Sequence, residues 1–169
     1  MLAERLMDEI ESWNSGVQIL ADGDLALTIG RPPSSVQEME RLKVDFIVSI
    51  GGDGTILRTI HKMADPVPIL GINMGTLGFL VDVEPVDALE TIKRLLSGFV
   101  VDERSRLKLL LNGVCMPRAT NEIAFLTASP AKMIEFEILV DGSLMEDFRA
   151  DGVIIATATG STAYAMSAG

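Results

Sequence analysis

The chain has 169 residues, room for one large domain or two small ones, and its 48% apolar content supplies a core and argues against disorder. A net charge of −10 and the lack of a basic stripe argue against nucleic-acid or anionic-membrane partners. The single cysteine, Cys115, excludes an internal disulfide and a cysteine-built metal site, in keeping with a reducing cytoplasm.

Leu2, Leu6, Ile10 and Trp13 fall at helical spacing, so the chain is expected to open on an amphipathic helix. Met1 to Trp13 mixes charged and apolar residues and lacks a signal-peptide core. No apolar run is long enough to span a bilayer. Val17 to Leu20 reads as a short strand, and Arg31-Pro32-Pro33-Ser34-Ser35 as a loop before a short polar helix. Phe46 to Ile50 is a β-branched, apolar strand. It runs into Gly51-Gly52-Asp53-Gly54-Thr55, after which Ile56, Leu57, Ile60, Met63 and Ala64 fit a helix.

Strand, glycine turn and helix in that order make a phosphate site. Glycine lets the backbone approach a ligand, and the helix start adds unpaired N–H groups and a positive dipole end. The turn is neither a Walker loop, since no lysine follows its last glycine, nor a Gly-x-Gly-x-x-Gly fingerprint. Its distinguishing feature is a carboxylate that a pure phosphate cradle does not need. Phosphoryl transfer gives Asp53 a purpose: taking the proton of an attacking hydroxyl, or holding a metal ion on the phosphates. The plainer alternative is an Asp that caps the helix. Arg58, one turn on, either reaches a phosphate or is solvated. His61, the only histidine, suits packing or surface.

Pro68 to Ile72 is a second buried strand, running into Gly71-Ile72-Asn73-Met74-Gly75-Thr76-Leu77-Gly78-Phe79-Leu80. In open α/β sheets ligands sit at the carboxyl ends of strands, so two glycine loops there would share one ligand unless this one is an ordinary turn. Pro85 to Ser97 reads as a helix with the stripe Val86, Leu89, Ile92 and Leu96.

The pattern then changes. Arg104 to Leu111 and Val114 onward flank Asn112-Gly113, a hairpin signal, and the alternating Ile134, Phe136, Ile138 and Val140 run into Asp141-Gly142, another. Val153 to Thr157 is a buried strand. A boundary falls near Gly98 to Asp102, with residues 1–100 as an α/β nucleotide-binding domain and 101–169 as the start of a β substrate-binding domain. The fold class is α/β: a parallel sheet first, then an incomplete antiparallel β domain. Asn121-Glu122, before an apolar strand, suits the paired hydroxyls of a ribose, or is a solvated strand start. Asp151-Gly152 opens the last strand. Thr157-Ala158-Thr159-Gly160-Ser161-Thr162-Ala163-Tyr164 leaves room for a flat base, caps a last helix, or does both.

Four ordered blocks over residues 44–169 resemble the NAD kinase family: Gly51-Gly52-Asp53-Gly54-Thr55; Gly71-Ile72-Asn73 with Leu77-Gly78-Phe79; Asn121-Glu122; and Asp151-Gly152 with Gly160-Ser161-Thr162-Ala163-Tyr164. The first turn alone is shared with diacylglycerol-type lipid kinases and, in similar form, phosphofructokinases; Asn-Glu and Gly-Ser-Thr-Ala-Tyr single out NAD kinases. The resemblance implies phosphoryl transfer from ATP or inorganic polyphosphate, with a divalent metal such as magnesium, to the 2′-hydroxyl of the adenosine ribose of NAD, giving NADP. It implies that Asp53 activates that hydroxyl. Gly52 and Gly54 would line the phosphate turn, with Gly51, Thr55 and Arg58 as candidates for the donor's phosphates. Asn73 would join the substrate site and Phe79 wall it. Asn121 and Glu122 would hold ribose hydroxyls, Thr162, Ala163 and Tyr164 the adenine end, and Asp151 the substrate. No residue is assigned as a metal ligand. A homodimer or homotetramer is implied, without nucleic acid or membrane.

The family usually opens with a strand before its first helix and continues beyond the Gly-Ser-Thr-Ala-Tyr helix. Against that pattern the chain is expected to be a fragment, its second sheet incomplete and its turnover slow or absent. A non-catalytic NAD/NADP-binding module is the alternative. A lipid kinase is the lesser one, since the acidic balance does not suit a membrane-facing surface.

Overall fold

The computed structural model describes residues 1–13, 16–75, 78–129 and 132–169. The chain divides into two compact units, Met1–Glu103 and Arg104–Gly169. The architecture is mixed α/β, with parallel strands in the first unit and antiparallel pairs in the second.

The first unit begins with α1 (Leu2–Ser12), whose Leu6 and Ile10 are buried. Helix α2 (Gly23–Thr28) follows, then α3 (Val36–Leu42). Ser35 caps α3, its hydroxyl accepting from the Glu38 N–H at 3.1 Å, and Lys43 ends it in a left-handed conformation (φ 53°). Strand β1 (Ile47–Gly51) leads into α4 (Asp53–His61) and returns as β2 (Ile69–Asn73), parallel to β1 with Ile47 opposite Ile69 and Gly51 opposite Asn73. Val83 bridges Ile72 on the far side of β2, before α5 (Ala88–Leu95).

Alternation along the strands decides what each face meets. Val48, Ile50, Leu70 and Ile72 face a core built with Leu6 and Ile10 of α1 and Ala88 and Ile92 of α5. The opposite face carries Ser49 and Gly71, and Ile56 of α4 lies directly over Gly71. Ile72 and Val81 are fully buried, worth about 1.5–3 kcal/mol each. Arg31 forks onto both carboxylate oxygens of Glu11, tying the segment after α2 back to α1.

The second unit contains three antiparallel strand pairs among the described residues. Strands β3 (Leu110–Leu111) and β4 (Val114–Cys115) form a short hairpin. Strand β5 (Glu122–Leu126) pairs with β8 (Gly152–Ala156), and β6 (Ile134–Val140) with β7 (Ser143–Ala150). Both hairpin turns carry positive φ at both central residues: 51° and 81° at Asn112-Gly113, and 50° and 80° at Asp141-Gly142. These are the left-handed turns that match strand twist. A 3-10 turn (Thr159–Thr162) and α6 (Tyr164–Ala168) close the chain.

Four expectations are corrected. The strand read as buried over Val153 to Thr157 is only half-buried, with Ile155 49% exposed, because β8 pairs with β5 alone among the described residues. Val17 to Leu20 forms no strand: Val17 and Ile19 pack on the core as irregular chain, and only Ala21 makes a bridge, to Pro33. The helix expected from Pro85 begins at Ala88, because Pro85 to Asp87 form a turn that leaves Val86 exposed. The strand expected from Arg104 pairs only at Leu107 with Ala119 and at Leu110–Leu111. Helix α2 was not anticipated; six residues starting at Gly23 are too few to show a period.

Candidate functional site

In the first unit the site is built where β1 and β2 end side by side. The Met74 N–H donates to the Gly51 carbonyl at 3.1 Å, so the glycine turn and the second glycine loop leave the sheet together. Gly52 occupies the cap position of α4, and no side chain caps this helix. The carboxylate of Asp53 turns instead to the second loop. Its Oδ2 accepts from the Phe79 N–H at 2.8 Å and its Oδ1 from the Leu80 N–H at 3.0 Å. An N–H on each oxygen specifies a carboxylate; an asparagine would turn its own NH₂ toward one of these donors. A carboxylate has about four lone-pair sites, so this fork leaves capacity to accept from a hydroxyl.

Gly78 is what permits the fork. A Cβ there would overlap Oδ1 of Asp53 and stand 2.8 Å from its Cγ and 2.9 Å from Val81 Cγ2. Asn73 is buried, 5% exposed, and its Oδ1 accepts from the Gly75 N–H at 3.0 Å, which shapes the loop. Phe79 is 69% exposed. Leu77 lies outside the described residues. Arg58 folds back along α4, donating to Thr55 Oγ1 at 3.3 Å beside the exposed Gly54. A shallow depression lined by Leu57, Arg58, His61 and Lys62 lies farther along α4 and shares only Arg58 with the glycine turn. Among the described residues, no group of three or more His, Cys, Asp or Glu is placed to hold a metal ion.

In the second unit Asn121 and Glu122 start β5, with Glu122 opposite Ala156. Asn121 Oδ1 and Glu122 Oε2 are buried and have no hydrogen-bond partner. Unpartnered buried acceptors are rare enough to require an explanation, and a ligand's hydroxyls are one. The Gly160 to Tyr164 block is held against this pair. The Thr157 N–H donates to the Asn121 carbonyl at 2.8 Å, and Gly160 is seated so closely that a Cβ would stand 2.7 Å from Asn121 Cα. Thr162 is exposed, Ala163 half-buried, and Tyr164 46% exposed.

Asp151 is not brought to this group. It precedes Gly152, which pairs with Leu126 at the other end of the β5–β8 ladder, roughly 13 Å along the strands from Glu122. Residue order carries little sign of the close approaches of Gly78 to Asp53 and of Gly160 to Asn121. Its one available signal was Thr157 three residues before Gly160, the spacing of a hydroxyl cap on a turn.

A glycine-amide turn with one carboxylate at a helix start, in a parallel βαβ unit, has the build of a phosphate-binding α/β protein. Comparison with known proteins narrows this. Residues 2–100 match the family model described as ATP-NAD kinase N-terminal domain, and residues 120–169 match its C-terminal domain. The chain belongs to the NAD kinase family.

It is 53% identical over 165 residues to an NAD kinase of Methanosarcina barkeri, covering 98% of this chain and 60% of that protein. It is 53% identical over 136 residues to an NAD kinase of Pyrococcus abyssi, covering 79% of this chain and 49% of that protein. Among solved structures it is similar to an NAD kinase from Archaeoglobus fulgidus in complex with ATP, with 38% identity, TM-score 0.67, and coverage of 85% of this chain and 58% of that one. It is also similar to yeast NADH kinase complexed with NADH, with 27% identity, TM-score 0.79, and coverage of 98% and 57%. The chain thus spans 60% or less of each of these relatives.

Proposed function

We propose that this chain serves NAD kinase chemistry: transfer of a phosphoryl group from ATP to the 2′-hydroxyl of the adenosine ribose of NAD, giving NADP. The observation that carries the reading is Asp53, a carboxylate in the glycine turn at the start of α4 with spare acceptor capacity. A ribose hydroxyl is a weak nucleophile, and a carboxylate within reach takes its proton as the new O–P bond forms. Gly51, Gly52, Gly54, Thr55 and Arg58 would receive the donor's phosphates, aided by the helix start. Asn121 and Glu122 would accept from ribose hydroxyls, Thr162, Ala163 and Tyr164 would meet the adenine, and Phe79 and Asp151 would contact substrate. Residues 1–100 would be the nucleotide-binding domain and 101–169 the start of the substrate-binding domain.

Asp53, with lone pairs left over from the two N–H groups it accepts, is the carboxylate that would meet a magnesium ion, which is usually held by one or two carboxylates together with substrate phosphates. Magnesium would arrive on the donor's phosphates as part of the substrate. Among the described residues no helix is long and apolar enough to cross a membrane. The reading includes a cytoplasmic homo-oligomer.

The test is NADP formation from NAD by the purified chain, with ATP or polyphosphate and magnesium, beside Asp53→Asn. Turnover with ATP is expected, falling about 10²–10⁴-fold in the variant while NAD binding is retained. Equal losses of binding and turnover would make Asp53 a ligand contact or the anchor of the Phe79–Leu80 loop rather than the base. One observation favours a second reading, a binding module without turnover: the unpartnered acceptors Asn121 Oδ1 and Glu122 Oε2 would hold ligand hydroxyls whether or not Asp53 acts. Saturable NAD binding by a folded chain that forms no product would select it.

A further inference from the structure

Asn121 and Glu122 present a difficulty that their own hydrogen bonds do not solve. Their acceptors Oδ1 and Oε2 are buried and unpartnered, so nothing at those atoms fixes where they point. Their position has to come from the backbone beneath them, at the point where β5 begins.

That backbone is held by one hydroxyl. Thr157 is 8% exposed and follows β8, level with the start of β5. Its Oγ1 donates to the Thr120 carbonyl at 2.6 Å, with the Asn121 carbonyl 3.2 Å away, and accepts from the Gly160 N–H at 3.0 Å. Its own N–H donates to the Asn121 carbonyl at 2.8 Å. One donor and one acceptor function of a single hydroxyl therefore join the residues that carry the unpartnered acceptors to the turn that opens the Gly-Ser-Thr-Ala-Tyr block. Gly160 completes the contact, because only a residue without a Cβ can sit on the Asn121 backbone.

We propose that Thr157 is a positioning residue: its hydroxyl sets the Asn121–Glu122 acceptor pair against the Gly160–Tyr164 turn. The ligand class that follows, a vicinal diol next to a flat base, rests on the NAD reading above. The positioning itself does not. Valine is the discriminating substitution, since it keeps the shape of threonine and removes only the hydroxyl. Serine keeps the hydroxyl and removes only the methyl.

The experiment is amide hydrogen exchange and ¹H–¹⁵N spectroscopy on the whole chain, wild type beside Thr157→Val and Thr157→Ser, with NAD titrated into each. The Gly160 amide is expected to be protected in the wild type, to exchange at least about tenfold faster in Thr157→Val, and to recover in Thr157→Ser. The backbone and carboxamide signals of Asn121 are expected to move with it, and NAD affinity to fall about tenfold in the valine variant and return in the serine one. A wild-type Gly160 amide exchanging as if unprotected overturns the proposal, even if Thr157→Val fails to fold. Faster exchange with unmoved Asn121 signals also overturns it, as does a serine variant that behaves like valine. If wild type fails to bind NAD while the exchange and Asn121 responses appear as expected, the NAD reading fails and the positioning role stands.

Discussion

The two units solve the same problem in different ways. Each holds a glycine-containing turn against a second segment. In the first unit the tie is Asp53, the group proposed to do the chemistry, forked onto the N–H groups of Phe79 and Leu80. In the second unit the tie is a neutral hydroxyl, Thr157, while the acceptors suited to a ligand, Asn121 Oδ1 and Glu122 Oε2, are left without partners. A carboxylate can serve as anchor and reagent together because two N–H bonds use only about half of its acceptor sites. A side chain that must read a hydroxyl stays available when another residue does the anchoring. In both units a glycine leaves space for the tie: Gly78 against Asp53, and Gly160 against Asn121.

The harshest test of this parallel is Gly160→Ala. Its Cβ meets backbone, which yields less readily than a side chain, so the variant is expected to lose about 3 kcal/mol in urea unfolding and to disturb signals throughout Thr157 to Tyr164. A wild-type midpoint would show that the turn moves freely and that the close seating is incidental. Gly78→Ala comes next. Its Cβ meets a carboxylate that can swing away, so the cost is that of the broken fork, about 1–3 kcal/mol. Faster exchange at the Phe79 and Leu80 amides should report it, with the second unit's amides unchanged. Unchanged exchange at those two amides would mean that Asp53 does not hold the loop.

The smallest effect is expected outside both sites, at the Arg31–Glu11 pair. Arg31, through its hydrogen bonds and then its charge, holds the Glu11 carboxyl below its ordinary value near 4.5, although burial pushes the other way. The sign follows from that depression: the pair's contribution is present above the unfolded value and lost as pH falls through the lower folded one. Glu11 is exposed and Arg31 only half-buried, so the difference between wild type and Glu11→Gln should be small at pH 7, vanish in acid, and shrink with salt. A difference that persists in acid would assign it to packing rather than charge.

Much of this arrangement was legible from residue order. Ile47 to Gly51, the glycine turn and the following helix were readable because apolar runs, glycines and helical spacing are local signals. Both hairpin turns were readable because Asn-Gly and Asp-Gly accept positive φ where other pairs resist it. The candidate residues stood out as carboxylates, amides and hydroxyls in otherwise apolar or glycine-rich surroundings. Element ends were read less well. Val86 has the right residue type for the α5 stripe, yet the turn from Pro85 to Asp87 leaves it exposed.

By itself, then, the sequence determined the order of α/β elements before antiparallel strands, the glycine turn with its aspartate, and membership of a kinase family through four motif blocks, since each depends on residues near one another in the chain. Only the tertiary structure decided what those residues touch. It turned Asp53 from the cap of its own helix to Phe79 and Leu80, residues 26 and 27 positions away. It joined Thr157 to Thr120 and Asn121, and set Asp151 at the far end of the ladder from Glu122. The physical reason is that strand register and close backbone approach bring together groups distant in the chain, and hydrogen bonds between such groups leave no period or local pattern in the sequence.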